Sequence, residues 1–238
     1  MFGADIDWGL FGLWYVVFLF SLTVHEGSHA LAAHWGGDDT AYEGGQVTLN
    51  PLPHMQREPM GTLMVPVLSY VFMGWVMGWA STPYDPDWAR RHPRRAGLMS
   101  LAGPAGNFAL AAGALLILKL LLASGVFLPP ASAAFHQLVA VPDGAPAALT
   151  PLAYALSLTL VLNVLLGCFN LLPVPPLDGS GVLEGFLPER TADRYRALAH
   201  APGTRMLGLL AMWVLFGKVV RPLFLAILYV VHPGVTYS

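Results

Sequence analysis

Four stretches of the chain are apolar for long enough to cross a bilayer: residues 9–35, 96–123, 151–172 and 206–231. A fifth, residues 60–80, is shorter and broken by Pro66 early and by Gly74, Trp75, Gly78 and Trp79 late. That length suits a tight span, and equally a re-entrant hairpin that dips in and returns. Polar, turn-rich residues 37–59 contain the alternating run Gly45-Gln46-Val47-Thr48-Leu49-Asn50-Pro51, which predicts a short strand ended by proline. Residues 81–95 hold Arg90, Arg91, Arg94 and Arg95, a topology signal. Residues 124–149 form a Pro/Ala-rich loop without Lys or Arg. Pro173, Pro175 and Pro176 unwind the helix after the third span, and Asp178 follows directly. In the last span Lys218, Arg221 and Pro222 interrupt the middle: either the helix breaks there or the charges face a wet cavity.

Composition agrees with this pattern. Of 238 residues 55% are hydrophobic and only 11% charged, and the mean hydropathy is +0.58. Soluble domains carry about twice that charge. The expected fold is an all-α polytopic membrane protein of one domain, residues 1–238. It is a transmembrane helix bundle with a re-entrant segment over 60–80 and a short membrane-associated β-strand or hairpin. A net charge of −2 offers nothing to nucleic acid. The single cysteine, Cys168, has no intrachain disulfide partner and reads as a small buried hydrophobe. The first residues lack a basic n-region, so the first apolar segment reads as retained.

The second half of that first segment carries His25-Glu26-Gly27-Ser28-His29. Two histidines four apart differ by about 40° around a helix, so both imidazoles reach one metal. Glu26 lies one step round, placed to touch a water rather than the metal. The bland reading is a pair of buried histidines bonded to neighbouring helices, yet three ionisable groups in an apolar helix point to function. His34 faces away from the pair, and His54 is a loop histidine or a spare group near the metal.

A third ligand is needed, and Asp178 is the candidate if both segments end on one side. That requires residues 60–80 to be re-entrant. Charge supports this case: Arg57, the 90–95 cluster, Arg190, Arg194, Arg196 and Arg205 then share one side. The positive-inside rule makes that side cytoplasmic and the N-terminus extracytoplasmic. Two histidines and a carboxylate leave one position open on a zinc ion, the pattern of a catalytic site with one Zn2+ per chain. Zinc lowers the pKa of bound water to about 7, and Glu26 stands to take the proton. The amides of Asn170 and Asn107 are candidate donors to the reacting carbonyl, or else interhelical hydrogen bonds. An exposed strand over 45–50 would hold an unwound substrate segment by strand addition.

The chain resembles the site-2 protease family of intramembrane zinc metalloproteases (peptidase family M50), in its compact bacterial branch. The resemblance rests on His25 through His29, on Gly37-Asp38-Asp39-Thr40-Ala41 leading to Val47 through His54, on Ala102-Gly103-Pro104-Ala105-Gly106-Asn107, and on Asn170 through Gly179. It implies zinc held by His25, His29 and Asp178, Glu26 as general base, Asn170 beside the substrate and Asn107 close by. It further implies transmembrane protein substrates, regulated intramembrane proteolysis, and a multi-pass cell membrane location with the site near the cytoplasmic face. Gly27 and Ser28 depart from the bulkier pair expected, and Ser81-Thr82-Pro83 stands where relatives often have a lysine. No PDZ module or nucleotide-sensing domain is seen. The alternatives are a metal transporter using the same ligands and a zinc-binding scaffold without proteolysis.

Overall fold

The computed structural model describes residues 6–199, 201–235 and 237. Residues 1–5, which bear on the retained first segment, lie outside the described residues. In chain order the helices are α1 (Trp8–Gly36), short α2 (Thr40–Glu43) and α3 (Leu52–Arg57), then a π-helical turn (Met60–Met64) running into α4 (Val65–Met73). They continue as α5 (Pro86–Arg91), α6 (Pro93–Ala123), α7 (Leu149–Asn170), α8 (Asp178–Phe186), α9 (Glu189–Ala199) and α10 (Thr204–Val231). Four of these are long and apolar enough to cross a membrane: α1, α6, α7 and the Val214–Val231 part of α10.

Local signals explain the boundaries. Asp7 caps α1 by accepting from the Leu10 N–H at 2.8 Å. Gly37, at φ 92°, ends it in the left-handed region and returns its N–H to Ala33 and His34. Pro93 starts α6, where its missing N–H costs nothing. α10 runs unbroken through Pro222, with Lys218 and Arg221 exposed, so the last span is one helix.

α6 is the centre of the bundle, with α1 and α7 on its flanks and α8 across its first turns. Small residues make this possible. Gly97 of α6 meets Gly185 of α8, Gly181 meets Ser100, and Gly106 meets Ser28 of α1. The largest apolar core joins α6, α7, α10 and the 124–149 loop through Leu118, Phe127, Leu138, Val161 and Leu228. A second packs α1 and α7 around Trp14, Phe18, Tyr70 and Leu158.

Residues 60–80 turn back on themselves. A helical limb rises to Gly74, whose φ of 77° reverses the chain, and the return is extended. Trp79 N–H donates to Gly61 O at 3.2 Å, so the two limbs end together. Hydrogen bonds from Met77 N–H to Ser69 Oγ and from Tyr70 Oη–H to Asp7 O tie the limbs to each other and to the start of α1. Because this segment turns back, the end of α1 and the start of α6 meet. Trp88 Nε1–H and Arg95 both donate to Gly36 O.

The strand expected over 45–50 is not formed, and the described residues hold only two isolated β-bridges, both in the 124–149 loop. The chain bends at Ser/Thr/Asn-type side chains that satisfy the backbone locally. Thr48 Oγ1 accepts from Asn50 N–H, and Asn50 Oδ1 from Leu52 N–H. With no neighbouring strand to pair with, these local bonds win.

Candidate active site

Helical geometry sets His25 and His29 on one face of α1, with ring centroids 4.7 Å apart and ring planes near perpendicular. Their Nε2 atoms lie 3.1 Å apart. Asp178, the first residue of α8, brings Oδ2 to 3.0 Å from His25 Nε2 and 3.3 Å from His29 Nε2. The carboxylate reaches this point because the proline turn after α7 restarts a helix there and α8 packs on the glycines of α6.

The other ring nitrogens decide what the three atoms can bind. His25 Nδ1 sits 2.6 Å from Asn107 Oδ1, and His29 Nδ1 sits 2.7 Å from the Met99 carbonyl. Both partners only accept, so each Nδ1 carries the proton and, in a neutral ring, Nε2 presents a lone pair. The Asn107 amide is oriented in turn: its Nδ2 donates to Asn163 Oδ1 at 2.7 Å and to Ser21 O at 3.3 Å. Asn163 Nδ2 donates to Ser21 Oγ and Thr159 O.

Two lone pairs and a carboxylate oxygen therefore converge. Two imidazolium rings with their Nε2 atoms 3.1 Å apart would repel, so at least one ring is neutral and presents a lone pair. Asp178 Oδ2 is buried and accepts no hydrogen bond of good geometry. A Cβ on Gly103 would fall on His29 Nε2 and Cε1 and within 2.7 Å of His25 Nε2. The missing side chain leaves a cradle in front of the two Nε2 atoms. This donor set fits zinc, which takes imidazole nitrogen and carboxylate oxygen. Burial raises the Asp178 carboxyl, and a facing imidazole outweighs burial and holds it below the usual range when that ring is protonated.

Glu26, 4% exposed, lies beside the pair. Its Oε2 accepts from the Thr82 hydroxyl at 2.7 Å. Three bonds fasten the segment that delivers Thr82: Ser81 Oγ–H to Glu58 Oε1, Thr82 to Glu26, and Asp85 N–H to Asp38 Oδ2. Asp38 is buried, which raises its carboxyl, yet the Thr40 hydroxyl and the Asp85 and Thr40 N–H groups hold it below its ordinary value. His54 is fully buried, and burial lowers it against the opposing pull of Thr48 O and Glu26. Its Nδ1 has no partner. Asn170 gives one Nδ2 hydrogen to Leu166 O of its own helix.

Of the residues singled out from the pattern, His25, His29, Asp178 and Asn107 meet directly, and Asn170 ends the helix that leads to Asp178. Thr82, Met99 and Asn163 were not foreseen. Asn163 had a signal, since it is an amide inside an apolar span. Thr82 had none: a hydroxyl in a polar loop is ordinary. Met99 acts through its backbone, which leaves no trace in residue type.

Peptidase family M50 matches residues 13–214 of the chain. YwhC of Bacillus subtilis (strain 168) is 36% identical over 175 residues, 73% of this chain and 68% of that protein. Rip2 of Mycolicibacterium smegmatis (strain ATCC 700084 / mc(2)155) is 35% identical over 193 residues, 81% of this chain and 63% of that protein. Rip2 of Mycobacterium tuberculosis (strain ATCC 25618 / H37Rv) is 32% identical over 206 residues, 87% and 68% respectively. All three are named as zinc metalloproteases, and the chain spans between 63% and 68% of their lengths. No solved structure matches.

Proposed function

The chain belongs to peptidase family M50 and is a zinc metalloprotease, and from that premise we propose that it hydrolyses peptide bonds in or near membrane-spanning segments of other membrane proteins. The observation that carries this reading is the convergence of His25, His29 and Asp178 on one point, with Glu26 alongside, on helices apolar enough for a bilayer. When bound there, zinc supplies Lewis acidity and makes water acidic enough to ionise near neutrality.

His25, His29 and Asp178 are the ligands. Asn107 orients His25 through Nδ1 and fixes its tautomer; the Met99 carbonyl does the same for His29. Glu26 is the general base. It takes a proton from water at Oε and passes it to the leaving nitrogen, while the Thr82 hydroxyl holds the other carboxylate geometry steady. Asn170 has a second Nδ2 hydrogen free for the substrate carbonyl. The bent backbone of residues 47–49 lies over the Gly27 face of α1 and lines an open groove of about 330 Å3 with Val24, Ser28 and Leu31. An extended substrate segment lies along this groove.

Residues 60–80 are the re-entrant hairpin that dips into the membrane, and residues 1–238 act as one domain. Arg57, the 90–95 cluster, Arg190, Arg194 and Arg196 share the end that carries the site, which supports a cytoplasmic active-site face, an extracytoplasmic N-terminus and a plasma-membrane location. The role is regulated intramembrane proteolysis of membrane-spanning substrates. The test compares wild type with Glu26→Gln in detergent, reading bound zinc and cleavage of a model membrane segment. Zinc retained with cleavage lost supports the assignment. Wild-type protein that holds zinc yet cuts nothing across a broad panel favours a scaffold, and zinc flux in liposomes favours transport.

A further inference from the structure

α10 buries one face against α6, α7 and the 124–149 loop through Phe216, Val220, Phe224 and Ile227. Its opposite face is an exposed stripe. Leu207, Leu210, Val214, Lys218, Arg221 and Leu225 follow one another at intervals of three or four residues, the spacing of a helix-pairing seam. Two cations thus stand in the middle of a stripe that is otherwise apolar: Val214 is 60% exposed on one side and Leu225 43% on the other.

Depth makes this unusual. At 1.5 Å per residue, Lys218 lies about 21 Å from the start of α10 and Arg221 about 15 Å from its end. Side chains lean toward the helix N-terminus, and in that direction both cations meet the apolar side chains of Leu210 and Val214. Among the described residues neither forms an ion pair. Cations at this depth are costly unless paired or wet.

We propose that the outer stripe of α10 binds a membrane-spanning helix of another protein that carries a carboxylate near mid-membrane. Charge complementarity selects that occupant. A second copy of this chain brings none: the only acidic residue within its spans is Glu26, buried and held by Thr82, and two α10 stripes would set cation against cation. Lipid phosphates lie at the ends of the stripe, beyond the apolar residues that flank the pair. Gly217, with open space where a side chain would stand, lets the partner backbone approach beside Lys218. The inference needs α10 to cross the bilayer and does not depend on peptide hydrolysis.

The test uses labelled full-length protein in phosphatidylcholine vesicles and synthetic Leu/Ala-rich single-span helices with Asp or Leu at the centre. Energy transfer reads association. Wild type is expected to bind the Asp probe about ten-fold more tightly than the Leu probe, and Lys218→Leu/Arg221→Leu is expected to abolish that preference while zinc content stays unchanged. An Asp placed near the probe's end should bind no better than Leu. Equal binding of the Asp and Leu probes to wild type overturns the proposal. So does transfer between copies of the chain that the double variant removes, which would make a second copy the occupant. A spin label at Val214→Cys, in a Cys168→Ala background, that reports headgroup depth would also overturn it in favour of lipid phosphates.

Discussion

Gly103 faces the point where the ligands converge, and Gly103→Ala adds one methyl there. Ordinary van der Waals contact begins at 3.4 Å, whereas the new Cβ would lie 2.7 Å from His25 Nε2 and closer still to His29 Nε2. The difference, 3.4 − 2.7, asks for a shift of at least 0.7 Å. Coordination distances tolerate about 0.2 Å, so the site moves several times further than a metal accepts. The rings have nowhere to retreat, because Asn107 and Met99 hold their far nitrogens at 2.6 and 2.7 Å. Overpacking of this kind costs about 1–3 kcal/mol, and every 1.4 kcal/mol taken from zinc binding is about ten-fold in affinity. We expect zinc affinity to fall by about five-fold to about a hundred-fold, with proteolysis falling in parallel. The assay is chelator competition on purified protein, with circular dichroism to show that the helices remain. Gly113→Ala, on the same helix with nothing within 4 Å of its new Cβ, is the control and should change neither property. Gly103→Ala protein that holds zinc like wild type would refute the geometry of the site.

Three further outcomes follow from the contacts. Thr82→Val removes a hydrogen bond to an ionised group, about 1.5–3 kcal/mol, so kcat should drop roughly ten-fold or more with zinc content and KM unchanged. Thr82→Ser should restore it, and an unaltered kcat in Thr82→Val would show that Glu26 needs no such partner. Asn163→Leu frees the Asn107 amide and should weaken zinc binding about ten-fold, within the usual range for outer partners; Asn163→Asp keeps the acceptor for Asn107 Nδ2 and should bind zinc more tightly than Asn163→Leu. Asp38→Asn should destabilise the fold by about 2 kcal/mol at neutral pH. The Asp38 carboxyl is held below its unfolded value, so its contribution is complete above the normal carboxylate range and fades as pH falls through the depressed folded value. Thermal melts of wild type and Asp38→Asn should therefore converge in acid; a gap that widens in acid would reverse the sign.

Hydropathy alone located the four long helices to within a few residues, because a span is a local property of length and composition. The His25/His29 pair was legible for a similar reason, since helix geometry over four residues fixes their common face. Asp178 was reachable by counting crossings, provided residues 60–80 turn back, and their two limbs do end together. What lies between neighbours was not legible. The alternation at 45–50 promised a strand, but a strand exists only with a partner, and Thr48 and Asn50 bonded locally instead. Asn107 read as a possible donor to substrate; both of its amide hydrogens face Ser21 and Asn163, so its oxygen is what meets His25. Thr82 is 56 residues from Glu26 and reaches it only because the hairpin returns. The direction in which Lys218 and Arg221 point likewise depended on which face of α10 the core had taken. Sequence settles periodicities and spacings along one element, where distance along the chain is distance in space. The partners of a side chain from another element are settled only when the elements pack.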